Sequence, residues 1–586
     1  MNSCIKIANC SGFYGDRFSA AKEMVEGGPI DVLTGDYLAE LTMMILWKNK
    51  QSSKGGYART FVSQMKQILK TIKEKNIKVV SNAGGLDPSG CAKEIQKLCD
   101  EFGVELKVCF IKGDDITSQI QFFLNSGIDF AHLDTKVPLK DSGYDPVVAN
   151  VYLGGFSIAR ALELGADIVI TGRVTDASLV VGPAAWYHGW SRYDYDKLAG
   201  AILAGHVIEC GAQATGGNYS FFENVKLTHP GFPIAEIYQD GSSVITKHPQ
   251  TDGEVSIGTV TSQLLYEVSD QYYFNPDATA RLDTVKLEQI GKDRVRLYNV
   301  KGLAPPKNLK VSVNVFGGYK NSVEFVITGL NREKKAEVLK EAFLSSLDLS
   351  LIDELDVNFI DCARDDAITN ELACSYLRIT AKSKNEAGVS RNFSQKATEL
   401  ALANYPGFFM TSPPKDASTY AIFWPCLIPR NLIKLTICLN EKEYEFSEDF
   451  EADFIDLNYE RPNYQAPLFQ ATDTKLLPLG TIIGARSGDK GGDANVGFFA
   501  KNQEAYAWLA NYLTVEKIKE LLLEAKDLKV QRTLLPNLLA VNFVIKGLLG
   551  QGVAASYRFD PQAKGLGEYL RSRYVEIPVS LLEQGD

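Results

Sequence analysis

Ile5-Lys6-Ile7-Ala8-Asn9-Cys10-Ser11-Gly12 is an apolar run that stops in a small polar loop. The same pattern returns in Ile30-Asp31-Val32-Leu33-Thr34-Gly35-Asp36, in Ile77-Lys78-Val79-Val80-Ser81-Asn82-Ala83-Gly84-Gly85, in Leu106-Lys107-Val108-Cys109-Phe110-Ile111-Lys112-Gly113-Asp114-Asp115, and in Ile168-Val169-Ile170-Thr171-Gly172-Arg173. Helix-like stretches lie between the runs; one of them, 59–75, has Phe61, Met65, Ile68, Leu69 and Ile72 at helical spacing. Strand alternating with helix implies right-handed crossovers and a mostly parallel sheet. In such a sheet ligands bind beyond the carboxyl ends of the strands. The pattern therefore predicts one shared edge for Asn9, Ser11, Asp36, Asn82, Lys112, Asp114, Thr171 and Arg173.

Working outward, 586 residues are too many for one core. The expected organisation is an α/β unit over 1–230 with a doubly wound sheet, an α+β domain over 231–440, an acidic linker over 441–474 broken by Pro462 and Pro467, and a small α+β unit over 475–586. Asp36 is placed to cap a helix over 38–48. Extra strands near 129–133 would instead close a barrel.

The formal net charge is −10, which disfavours a nucleic-acid partner. The ten cysteines are scattered without a CxxC pair, as expected of reduced thiols in the cytoplasm. No apolar run reaches the roughly 18 residues of a membrane span, so no membrane partner is expected. HxxxH and HxH spacings, GxGxxG, GxSxG and the GxxxxGK[ST] phosphate loop are all missing.

Asn9, Ser11, Gly12, Asp16 and Arg17 form the first candidate anion loop, with an Asp16–Arg17 pair as the plain alternative. Asp36, Asn82, Arg173 and Asp176 are catalytic candidates, and Gly84 and Gly85 suit an oxyanion nest. Lys112 would meet an anion. Asp114 and Asp115 have the oxygen chemistry of a Mg²⁺ site, or of a simple helix cap. Thr171, Gly172, Arg173 and Asp176 follow the most apolar strand. Arg173 would anchor a carboxylate or phosphate, or pair structurally with Asp176. Cys210 four residues after His206 invites a nucleophile reading, ahead of Gly216, Gly217 and Asn218. The last block is a loop carrying Arg486, Ser487, Asp489, Lys490 and Asn495, suited to an anion or a subunit contact.

The runs Ile7-Ala8-Asn9-Cys10-Ser11-Gly12-Phe13-Tyr14-Gly15-Asp16-Arg17 and Glu26-Gly27-Gly28-Pro29-Ile30-Asp31-Val32-Leu33-Thr34-Gly35-Asp36-Tyr37-Leu38-Ala39-Glu40 resemble the acyclic terpene utilisation (AtuA) family. Gly231-Phe232-Pro233-Ile234-Ala235-Glu236 and Gln263-Leu264-Leu265-Tyr266-Glu267 look like its later N-terminal region. Arg486-Ser487-Gly488-Asp489-Lys490-Gly491-Gly492-Asp493-Ala494-Asn495 looks like the start of its small ferredoxin-like domain. The resemblance implies breakdown of acyclic terpenoid or branched acids handled as coenzyme A thioesters, and it assigns no catalytic residue. The expected function is hydration, lyase or hydrolytic chemistry on an anionic acyl-CoA or carboxylate, with no certain cofactor and Mg²⁺ as an option. The alternatives are a non-catalytic accessory subunit of an acyl-CoA carboxylase-type complex and a metal-dependent hydrolase. A homo-oligomer is expected.

Overall fold

The computed structural model describes residues 4–470 and 473–582; residues of the expected units outside these limits are not described. The five quoted runs supply β1 (Cys4–Asn9), β2 (Val32–Gly35), β3 (Lys78–Ser81), β4 (Val108–Lys112) and, after β5 (Pro146–Val151), β6 (Ile168–Ile170). They pair in parallel in the order β1-β2-β3-β6-β4. Successive residues enter opposite cores. Ile7, Val32, Val80 and Val169 face the helices Phe156–Glu163, Ser178–His188 and Tyr195–Ile208. Ala8, Leu33, Val79 and Ile170 face Ala20–Glu26, Arg59–Glu74 and Pro88–Phe102. Burial on both faces explains why these strands read as continuous apolar runs. The sheet is open, and no barrel forms from 129–133.

The boundary expected at 230 is not a boundary of this sheet. β7 (Pro233–Tyr238) pairs antiparallel with β1, and β8 (Ser243–Lys247), Arg294–Tyr298 and Lys286–Gly291 extend that side. At the other side Lys434–Leu439 pairs with β4 and carries Lys442–Ser447, so part of the expected linker is an edge strand. Eleven strands result. Within these additions, consecutive strands are joined by hairpin turns, such as the Asp240-Gly241 turn between β7 and β8, while their attachment to β1 and β4 is long-range.

A second sheet is built on the 21-residue strand Asn308–Thr328. A register shift between Phe316 and Gly318, with Gly318 at φ 118°, bends this strand without breaking it. Ser418–Pro429 follows it along most of its length, β5 pairs with its first half and Cys374–Ser383 with its second. The second half and the helices Arg332–Ser345 and Arg391–Glu399 enclose a separate core around Phe325, Phe343 and Phe393.

The last unit is a four-stranded antiparallel sheet covered by helices. Its block 486–495 is not a loop: Ile483–Lys490 and Asp493–Ala500 form a hairpin about Gly491-Gly492. Phe499, Leu535 and Ala540 of this unit join the core of the large sheet, so the two units share apolar contact. Among the described residues no helix is long and apolar enough to cross a membrane.

A Cβ at Gly84 would lie 2.5 Å from the Thr171 carbonyl oxygen and 2.8 Å from the Pro88 Cα. Gly84→Ala is expected to destabilise the protein by about 1–3 kcal/mol through overpacking. Differential scanning calorimetry checks this: an unchanged Tm would contradict the close approach.

Candidate active site

The carboxyl ends of β1, β2, β3 and β6 bring Asn9, Asp36, Asn82 and Arg173 together as expected. Asn9 Nδ2 donates to the carbonyls of Ile208 (2.6 Å) and Glu209 (2.9 Å), which fixes the end of the helix Tyr195–Ile208 and the start of the Glu209 side chain. Asn82 Nδ2 donates to Asp36 Oδ1 at 2.6 Å, and the Leu38 amide donates to the same oxygen at 3.1 Å. Asp36 therefore caps no helix; the following helix is Glu40–Gln51, and its N-cap is Ala39.

Arg173 is buried. Its Nη1 donates to the Leu38 carbonyl (3.0 Å) and to Asp176 Oδ1 (2.9 Å), and its guanidinium lies 4.4 Å over the Tyr152 ring. Beneath it Asp114 Oδ2 accepts from the Arg173 amide (2.7 Å) and from Asn150 Nδ2 (2.9 Å). Tyr152 Oη donates to Glu40 Oε1 at 2.8 Å.

Burial, then the neighbouring Asp176 carboxylate, push the Asp36 carboxyl well up, against the pull of Arg173 and Asn82. Burial raises Glu209 as well, helped by Asp176 and Glu267. His206 Nδ1 is 3.1 Å from Glu209 Oε1, yet burial drives the imidazole down to about 4. Both shifts favour neutral groups, so this contact is a neutral hydrogen bond rather than an ion pair. Glu40 is opposite in character: burial would raise it, but Lys310 and Arg173 outweigh burial and hold it ionised.

The small unit supplies the facing wall. Lys490 Nζ donates to the Glu267 carbonyl at 2.9 Å, and burial with the nearby Lys310 charge lowers its ammonium to about 8. Burial and Glu267 raise Asp489 to about 7, while Lys564 at 3.9 Å pulls the other way. Arg486 donates to Gln213 and lies 4.3 Å over the Tyr266 ring. Asn495 Oδ1 accepts from the Glu267 amide at 2.8 Å, which fixes that segment.

A cavity of about 270 Å³ adjoins this array between Leu41, Met44, Ile45, Tyr420, Phe423 and Val553. Glu40 and Asp489 also line it, and so do Lys48 and Lys320.

The other expected site residues do local work. Arg17 binds Glu23 (2.8 Å) and the Pro230 carbonyl (2.7 Å) and stacks on Phe232; it does not pair with Asp16 and is not part of the array. Asp16 accepts from the Gly12 and Arg17 amides, and Ser11 Oγ donates to the Phe13 carbonyl. Lys112 pairs with Glu443 at 2.7 Å on the surface, because Lys434–Leu439 and its partner strand cover that edge. Thr171 Oγ1 donates to the Gly172 carbonyl, and a Cβ at Gly12 or Gly172 would overlap the Cys210 backbone or the Asp114 carboxyl. Gly85 has φ 52°; Gly216 and Asn218, at φ 105° and 59°, turn the chain around Gly217. Ser487 Oγ links the Ala563 carbonyl to the Gly567 amide. Asp115 accepts from the Thr117 amide and hydroxyl, a local turn contact one residue before the N-cap Ile116. Cys210 is pushed up by burial and Glu209, and His206 turns to Glu209, so the nucleophile pairing does not form. Among the described residues no group of three or more His, Cys, Asp and Glu has metal-site geometry.

Tyr152, Lys310, Glu267 and the Glu40 carboxylate were not singled out from the sequence. Lys310 had a readable signal: Leu309, Val311, Val313 and Val315 alternate with Lys310, Ser312 and Asn314, a polar strand face that is also largely covered.

The family model described as acyclic terpene utilisation family protein AtuA matches residues 5–439, and that of the AtuA ferredoxin-like domain matches residues 477–576. The chain belongs to the acyclic terpene utilisation family AtuA. This AtuA member carries both domains in the expected order, and the charged array lies where they meet. Comparison with curated protein sequences finds no match. Membership supports a role in acyclic terpene utilisation.

Burial raises Asp114 from 3.8 to about 7. The native state then holds a proton that the unfolded chain releases, so this group's contribution to stability is lost as pH rises from about 4 through 7. Asp114→Asn can accept the same two hydrogen bonds without titrating. The Tm of wild type minus that of the variant is expected to fall between pH 5 and pH 8; a constant difference would contradict the shift.

Proposed function

We propose that this protein is an enzyme of acyclic terpene utilisation that performs acid–base chemistry (hydration, lyase or hydrolytic) on the acyl part of an acyclic branched acid or its coenzyme A thioester. The observation that carries the reading is the Asp36–Arg173–Asp176–Glu209 array, whose neighbour Glu40 lines a largely apolar cavity. Asp36 Oδ1 accepts two hydrogen bonds, which leaves Oδ2 to hold the proton of its raised carboxyl. A carboxyl kept protonated near neutral pH is suited to general-acid work. Arg173, fixed by Leu38, Asp176 and Tyr152, offers a permanent charge to a developing oxyanion without reorganisation.

Cavity size bears on the substrate. At about 30 Å³ per water-sized group, 270 Å³ holds roughly nine such groups. That fits a short branched acyl chain with its carbonyl and leaves the bulk of a coenzyme outside. The apolar walls reward a hydrocarbon tail by burial. The small unit belongs to the same reading, since Asp489 and Lys490 border the array.

The test is turnover of a panel of acyclic acyl thioesters and free acids of six to ten carbons, followed by mass spectrometry. Wild type is expected to convert at least one member. Asp36→Asn, which retains both accepted hydrogen bonds, is expected to lower kcat by about 100-fold or more with an unchanged circular dichroism spectrum. The wild-type rate should also fall as pH rises and Asp36 loses its proton. Full activity in the variant would reject the assignment.

A further inference from the structure

The cavity has two unlike ends. The helix Glu40–Gln51 runs along it, and both Glu40 and Lys48 line it. Two helical turns separate them, roughly 12 Å at the rise of an α-helix. Glu40 binds Tyr152, and the Lys310 ammonium lies over the Tyr152 and Phe423 rings. Asn314, opposite Phe423 in the sheet, therefore belongs to the Glu40 end. Asp489 belongs there too, because the Glu40 charge helps to raise it. At the other end Lys320 pairs in register with Ser418, and Lys48 Nζ donates to the Thr419 carbonyl at 3.4 Å. Leu41, Met44, Ile45 and Tyr420 line the stretch between.

The lysine end lacks a counter-ion. Lys320 Nζ donates to the Ala554 carbonyl at 2.8 Å, and among the described residues neither ammonium has a carboxylate partner. Each has three N–H donors and uses one of them on a carbonyl. Lys320 also stands directly opposite Lys382 in an antiparallel pair, an arrangement of like charges that destabilises a sheet. Lys382 has Glu354 at 3.2 Å as its own partner. Burial, then the charges of Lys382 and Arg378, lower the Lys320 ammonium, and a bound anion would offset all three. The Glu40 end is opposite in character, since the ionised Glu40 and Asp489 disfavour an anion there. It holds instead a donor without an acceptor: Asn314 is 3% exposed, and its Nδ2 has no hydrogen-bond partner. A buried amide loses its hydration for nothing unless a ligand or water oxygen meets it, which marks the cavity as a binding site.

Resting on the reading of this cavity as the acyl site, we propose that Lys48 and Lys320 receive the carboxylate of an acyclic acid whose hydrocarbon chain runs inward toward Glu40 and Asn314. The two carboxylate oxygens accept N–H donors from both ammonium groups. The protein thus takes its substrate as the free acid, and the carbons presented to the array are those remote from the carboxyl group.

The probes are octanoate and octan-1-ol, the same chain with and without the charge, measured by titration calorimetry. Wild type is expected to bind octanoate at least about tenfold more tightly than the alcohol. Lys320→Met and Lys48→Met are each expected to weaken octanoate binding and to leave the alcohol unchanged, and the double variant to lose the preference. Lys48 is exposed, so Lys48→Met reports even if Lys320→Met fails to fold. Ile45→Trp, which narrows the cavity from a position 40% exposed, is expected to weaken both probes. Equal affinity for the two probes, or a preference that survives in the double variant, would overturn the carboxylate receptor while leaving the acyl cavity intact. Octanoyl coenzyme A tests the source of the charge: tighter binding than octanoate, lost in the lysine variants, would put a carrier phosphate at this end and overturn the free-acid assignment. If Ile45→Trp changes neither probe, or wild type binds neither, the acyl cavity itself fails and the receptor with it.

Discussion

Arg173 puts a charge that does not titrate into the interior at the end of β6, and the surroundings are arranged to tolerate it. Desolvating a guanidinium is expensive, and leaving it without a partner typically costs about 3–5 kcal/mol. Here one carbonyl, one carboxylate and one aromatic face share it, while Asp114 grips its backbone. Asp36, Glu40 and Glu209 all feel its field. Their opposite shifts follow from different balances against one fixed charge: Lys310 and Arg173 hold Glu40 down, whereas burial and then Asp176 push Asp36 and Glu209 up.

The second domain completes this balance. Its hairpin is held against the first domain by Leu265 and Tyr266, which pack on Gly497 and Gly488. That contact buries Asp489 and Lys490 and moves both toward neutrality, Asp489 upward and Lys490 downward. An isolated hairpin in water would keep both groups charged. The titration of the pair is thus a property of the assembled chain.

The central sheet was legible because double burial writes itself as uninterrupted apolar runs, and the polar residues that end them had to share an edge. That logic placed Asp36, Asn82, Arg173 and Asp176 at one rim, where they meet. Arg17 and Lys112 were misjudged because each meets a local carboxylate, Glu23 or Glu443, that spacing does not reveal. Antiparallel strands from beyond residue 230 join the parallel sheet through long-range pairing that no local pattern announces. Lys310, Tyr152 and Glu267 reach the site through long-range pairing of β5 and Asn308–Thr328 and through domain packing. Single-strand periodicity shows that a face is polar, but not what covers it.

The continuous ribbon Asn308–Thr328 has a practical corollary. It is hydrogen-bonded first to β5, then to Cys374–Ser383, and along its flank to Ser418–Pro429. One end carries Lys310 toward Tyr152 and Arg173 while the other forms the floor of an outlying lobe. A shortened form of the protein starting after residue 230 would strip that ribbon of β5 and the large sheet of its parallel centre. Excising the lobe alone would sever the beam that supports the chamber wall. The polypeptide is divisible in sequence at 230 but not in mechanics, and engineering of the lobe will be felt at the ammonium some eight residues before its bend.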